Sequence, residues 1–87
     1  MDDSDFIRRM KARIEASSGQ AIELKLDTGK PDAISVEFSS PIPQVVMGAD
    51  VLKFSGLARM FMQYVILSLR MGRKVEQDEF FLFMRRN

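Results

Sequence analysis

The stretch from Leu57 to Met71, LARMFMQYVILSLRM, constrains the fold more than any other part of the chain. At about 3.6 residues per helical turn, its polar residues other than Ser68 fall on one narrow stripe, which continues beyond Met71 and has one apolar member, Ile66. Nearly every other position is apolar, whereas an ordinary surface helix has a single apolar face. We therefore predict a buried core helix that is covered on nearly all sides. The stripe consists of Arg59, Gln63, Ile66, Arg70 and Arg73.

The size of the chain limits the core that it can build. With 87 residues, the chain is predicted to form one domain, residues 1–87, with a small core. Small domains often need a disulfide, a metal ion or a second subunit for stability. The sequence has no cysteine and no histidine, which excludes disulfides and removes the commonest metal ligand. Oligomerisation is the remaining way to stabilise such a small core, and we expect a homodimer.

Charge and targeting signals narrow the functional classes further. The 13 basic and 12 acidic residues give a formal net charge of +1, whereas a dedicated nucleic-acid-binding domain is usually more basic. The uncharged run Met60–Leu69 is shorter than the roughly 20 apolar residues that span a bilayer, so no membrane association is predicted. The acidic N-terminus, MDDSDF, lacks the pattern of a secretory signal. Together with the absence of cysteine, it predicts a cytoplasmic protein.

An amphipathic helix is predicted near the N-terminus. The apolar residues Phe6, Met10 and Ile14 recur at a spacing of four, while charged residues occupy most of the positions between them. Gly19 is suited to the left-handed position that ends a helix, and Gly72 has the same role after the long helix. These signals place one helix before the sheet and one after it.

Two segments of alternating apolar and polar residues are predicted to be strands. They cover residues 20–27 and 33–39, and turn-forming residues separate them. We predict that they pair as an antiparallel hairpin with one face in solvent. The apolar residues 45–47 are predicted to form a short third strand, placed at an edge of the sheet.

The C-terminal apolar run from Phe80 to Met84 is open to two interpretations. Its β propensity fits a strand over residues 79–85. Acidic residues precede the run and Arg85 and Arg86 follow it, an order that complements a helix dipole at both ends. We favour a short helix that forms a helical hairpin with the long one. The predicted class is therefore α+β: an N-terminal helix, a two- or three-stranded antiparallel sheet, a long buried helix and a short C-terminal helix.

No residue pattern indicates catalysis. Glu23 and Glu37 are predicted on neighbouring strands, but Lys25 shares their face and nothing indicates a pocket that would separate their pKa values. Without histidine the serines lack their usual activating base, although a serine–lysine pair stays open. Glycine-rich phosphate-binding motifs are absent. We predict no enzyme activity, no catalytic residue, no metal and no cofactor.

The surplus of large apolar residues is the main functional signal. Seven methionines and seven phenylalanines exceed what two helices and a small sheet can cover around the long helix. We predict a small non-enzymatic protein-interaction or regulatory module, homodimeric through the long helix, the C-terminal segment or a free sheet edge. A groove for a hydrophobic peptide or ligand is a further possibility. The candidate interface residues are Met62, Leu69, Phe80, Phe81, Phe83 and Met84.

The alternative hypothesis is a nucleic-acid-binding protein. Basic residues on the N-terminal helix and on the C-terminal helical hairpin could contact phosphates if the fold brought the two groups together. Acidic neighbours dilute both groups, and no exposed aromatic residue is interleaved with them for base stacking. The residues of this alternative are Arg8, Arg9, Arg70, Arg73, Lys74, Arg85 and Arg86.

Overall fold

A computed structural model describes residues 3–30, 33–38, 41–53, 55–75 and 77–86. Within these ranges the α+β class is confirmed, and residues 79–85 belong to a helix rather than to a strand. In chain order the elements are α1 (Asp3–Ser18), β1 (Glu23–Asp27), β2 (Ile34–Glu37), β3 (Gln44–Gly48), a 3-10 helix (Ala49–Lys53), α2 (Ser55–Met71) and α3 (Gln77–Arg86).

The pairing of the strands differs from the predicted antiparallel hairpin. The sheet has the order β1-β3-β2, so the third strand is central rather than at an edge. β1 runs parallel to β3, with Glu23 opposite Gln44, and β2 runs antiparallel to it, with Ile34 opposite Met47. The sheet is therefore mixed. The connection from β1 to β2 crosses two strand spacings, about 10 Å, and leaves room for β3 between them.

The residue composition of β3 explains its central position. Val45 and Met47 are fully buried, and Val46 lies between them on the opposite face. A continuous apolar run of this kind is typical of strands that have neighbours on both sides. The turn signal after β1 is real, because the Asp27 carboxylate accepts hydrogen bonds from the backbone N–H groups of Gly29 and Lys30 at 3.0 and 3.2 Å. It makes a turn, but the turn does not close a hairpin.

The three helices share one core with a single face of the sheet. Val36, Val45 and Met47 point to this face and belong to the same buried cluster as Ile14 of α1 and Phe61 of α2. The opposite face of the sheet is open to solvent along both outer strands. The exposed residues there are Glu23 and Lys25 of β1 and Glu37 of β2.

The predicted glycine signals at the two long helices are confirmed. Gly19 and Gly72 have positive φ angles of 73° and 64°. After α1, the Gly19 N–H donates to the Glu15 carbonyl at 2.9 Å, which is the simple left-handed cap. After α2, the N–H of Arg73 donates to the carbonyl of Ser68 at 2.9 Å, the 6→1 bond of a Schellman motif. This cap turns the chain toward α3.

The long helix α2 is less completely covered than predicted. Phe61 and Val65 are fully buried, and the polar members of the stripe face solvent as expected, while Ile66 is partly buried against the core. Leu67 and Met71 are exposed as well, at 45% and 54%. Within the described ranges α2 contacts α1, the 3-10 helix and α3, and neither Leu67 nor Met71 packs against the core that these elements share, so this side of α2 stays open.

Candidate interaction surface on the helical hairpin

The helices α2 and α3 are joined by an aromatic cluster. Phe80 is fully buried, and its ring lies 6.2 Å from Phe61 and 5.6 Å from Tyr64, measured between ring centroids. Aromatic pairs at these separations add to the free energy of burial. Phe80 therefore anchors the helical hairpin to the core.

Tyr64 forms a second connection to α3. Its ring packs edge-on against Phe83 with the centroids 5.1 Å apart, and its hydroxyl donates a hydrogen bond to the Glu79 carboxylate at 3.1 Å. Tyr64 lies one helical turn before Ser68, whose buried hydroxyl donates to the Tyr64 carbonyl at 2.9 Å. The contacts of Tyr64 with Phe83 and Glu79 fix how α3 lies along α2, and hence which α3 side chains face outward.

The helical hairpin exposes most of the large apolar side chains found at the surface of the described residues. Five such side chains are at least 40% exposed, and four of them lie on α2 or α3. Scattered apolar residues at a surface are ordinary, but a concentration on one structural unit is typical of an interaction site. We call these four residues the hairpin surface: Leu67, Met71, Phe81 and Leu82.

The structure separates the predicted interface residues into three groups. Leu69 and Phe80 are almost fully buried inside the chain, so they support the fold and cannot contact a second molecule as they stand. Met62, Phe83 and Met84 are half-buried against the core. Phe81 is exposed.

Sequence reasoning missed Leu67, Met71 and Leu82 as surface residues. Leu67 and Met71 are spaced by four on α2, on the same side as Tyr64. Leu82 lies two positions after the buried Phe80, on a different side of α3. An apolar residue looks the same in sequence whether its face is covered or open, so only the packing of the helices could distinguish them.

The basic residues of the nucleic-acid alternative do not form one free surface. Arg8 and Arg9 both pair with the carboxylate of Asp5 on their own helix. Arg70 donates two hydrogen bonds to the carbonyl oxygen of Ser17, at 3.0 Å from Nε and 2.5 Å from Nη2. The other four are exposed, with Arg73 and Lys74 between the helices and Arg85 and Arg86 at the end of α3.

The role of Arg70 in this structure is to join two helix ends. Its guanidinium group caps a free carbonyl at the C-terminus of α1, where positive charge is favourable. Gln20 makes the reciprocal contact, because its side-chain amide donates to the Leu69 carbonyl at 3.1 Å. These bonds hold the ends of α1 and α2 together.

Glu23 and Glu37 do not lie on adjacent strands of the sheet. The prediction that Glu23 and Glu37 lie on neighbouring strands is wrong, because β3 separates them and both are in register with Gln44. Among the described residues, no cluster of three or more carboxylates could hold a metal ion. Nor does any helix in these ranges have the length and apolar character to cross a membrane.

The edges of the sheet are poor candidates for pairing with another chain. The outer edge of β2 meets Val75 through an antiparallel bridge to Val36. β1 is charged, with Glu23 and Lys25 exposed, and charged edge strands resist pairing with other strands. The hairpin surface is therefore the better candidate.

Comparison with protein-family models, with curated proteins and with solved structures returned no match.

Proposed function

We propose that this protein is a small non-enzymatic interaction module that works as a homodimer through the hairpin surface. The observation that carries the proposal is the concentration of exposed apolar side chains on α2 and α3. Their burial against a second copy would remove this surface from water, which is favourable at about 25 cal/mol per Å². The lack of histidine and cysteine supports a non-enzymatic role.

A second copy is the simplest partner for this surface. Both helices of the hairpin carry exposed apolar side chains, and a two-fold axis brings a surface against its own copy. A small core gains from such an additional apolar contact, since the chain has no cysteine for a disulfide. For the same reason, a reducing compartment such as the cytoplasm suits the proposed module.

Oxidative footprinting tests which surface a second copy covers. In the isolated chain Met71 is the most exposed methionine that the structure describes, at 54%. We expect hydroxyl-radical oxidation of Met71 to fall severalfold when protein concentration rises from a level that favours monomers to one that favours dimers. The oxidised fraction of each methionine would be measured by peptide mass spectrometry.

Met62 is the matched control for this experiment. It lies on the same helix but on the side that faces α1, outside the hairpin surface. Its oxidation is expected to be independent of protein concentration. Equal oxidation of Met71 at all concentrations, or protection of Met62 alone, would contradict the proposed surface.

A further inference from the structure

A groove between α1 and α2 combines an apolar floor with a cationic rim. Four apolar side chains line it: Phe6 and Met10 on α1, and Ala58 and Met62 on α2. Each pair is spaced by four residues, so each forms a row along its helix. The small side chain of Ala58 leaves the space that a larger residue would fill.

Three arginines stand around this floor. Arg9 and Arg13 form a second row on α1, spaced by four, and Arg59 stands across from them on α2. All three side chains are exposed. The groove therefore presents positive charge on both sides of an apolar floor.

Among the side chains that the structure describes, little negative charge offsets these arginines. Arg9 shares the Asp5 carboxylate with Arg8, at 3.6 Å in an exposed pair of the kind that contributes little to stability. Within the described ranges, Arg13 and Arg59 have no carboxylate within ion-pair distance. An occupant that carries acidic groups at the rim would meet unneutralised charge on both helices.

The size of the groove limits what it can hold. Its volume is about 300 Å³, at the lower end of the range for small-molecule sites. This space accommodates one or two large apolar side chains rather than a whole drug-sized ligand. An amphipathic helix lays such anchor side chains into a groove and places its polar residues along the rim.

We propose that the groove between α1 and α2 binds an acidic amphipathic helix of a partner protein. One or two large apolar side chains of that helix fill the space above Ala58, and its carboxylates pair with Arg9, Arg13 and Arg59. This site lies on the α1 side of α2, whereas the hairpin surface lies on the α3 side. Partner binding is therefore a second function, separate from self-association.

Selection from a peptide library tests the proposal directly, because it does not require an identified partner. The probe is a phage-displayed library of random peptides roughly 16 residues long, about the length at which isolated helices begin to form. Recovered peptides are expected to carry large apolar residues at helical spacing, flanked by aspartate or glutamate. In a titration with the best peptide, the methyl NMR signals of Met10 and Met62 are expected to shift.

Charge reversal at the rim provides the matched variants. Arg13→Glu and Arg59→Glu are each expected to lower the affinity for the best peptide about tenfold or more, because each places a carboxylate against the acidic peptide. Arg73→Glu, an exposed arginine outside the groove, is the control and is expected to leave the affinity unchanged. Leu82→Asp is expected to leave it unchanged as well, so a failure of the dimer proposal would not be mistaken for a failure of this one.

Several outcomes would overturn the proposal. One is recovery of peptides without acidic residues. Another is recovery of peptides that the Arg13→Glu and Arg59→Glu variants bind with the affinity of the wild type. Another is the absence of any peptide above background. Shifts of Met10 and Met62 with laurate or with a single-stranded oligonucleotide, but with no selected peptide, would assign the groove to a small anionic amphiphile or to nucleic acid instead.

Discussion

Replacement of Phe80 with alanine is expected to lower the free energy of unfolding by about 3–5 kcal/mol. The ring is fully buried and packs against Phe61 and Tyr64, so its removal leaves a cavity and separates α3 from α2. A domain of 87 residues has a total stability of roughly 4–13 kcal/mol at about 0.05–0.15 kcal/mol per residue. The loss is therefore a large fraction of the whole.

Urea unfolding followed by circular dichroism would measure this loss, at one low protein concentration for all variants. Phe81→Ala is the matched control, because it removes the same ring from the next residue, where the side chain is 47% exposed. We expect Phe81→Ala to cost less than about 1 kcal/mol, as is usual for exposed positions. Equal losses for the two variants would show that Phe80 does not anchor α3.

Replacement of Leu82 with aspartate is expected to abolish self-association while the fold is kept. Leu82 is 53% exposed, so the carboxylate remains in water in the monomer. In the proposed dimer the change occurs once in each subunit and places a charge in an apolar contact. If each substitution costs about 2 kcal/mol, as for a central interface residue, dissociation constants rise on the order of 1000-fold.

Sedimentation velocity and circular dichroism together would measure this effect. Ile42→Asp is the matched control, since Ile42 is also an exposed apolar side chain, at 40%, but lies outside the helical hairpin. We expect Ile42→Asp to sediment as the wild type does, and Leu82→Asp to sediment as a monomer with an unchanged spectrum. If both variants dissociated, or neither did, the hairpin surface would not be the site of self-association.

The helices of this protein can be predicted from its sequence because local residue patterns mark them. The spacing of Phe6, Met10 and Ile14 marks α1, and the left-handed glycines Gly19 and Gly72 mark where two helices end. The charge order around Phe80–Met84 favours a helix, and α3 is present. These features are local, because a few neighbouring residues determine each of them.

The order of the strands could not be predicted in the same way. Alternation marked β1 and β2 correctly, but it contains no information about which strand pairs with which. The unbroken apolar run of β3 was the available signal, since both flanking strands pair with Val45 and Met47. Pairing depends on contacts between residues far apart in sequence, which a local pattern does not specify.

The candidate surfaces could not be predicted either, because a local sequence pattern does not specify which apolar residues are exposed. Leu69 and Leu67 are alike in sequence, yet the first is almost fully buried and the second is 45% exposed. The groove beside Arg13 and Arg59 exists only because α1 packs across α2. The surplus of apolar residues can be counted from the sequence, but only the folded structure shows where those residues lie on the surface.

The mass of the wild-type particle shows whether this protein associates with itself. Sedimentation velocity over a wide range of protein concentrations would give that mass for a chain of 10.0 kDa. The proposal predicts a reversible shift, with concentration, from one chain to a species of twice the chain mass. A single species of one chain mass at every concentration would contradict it.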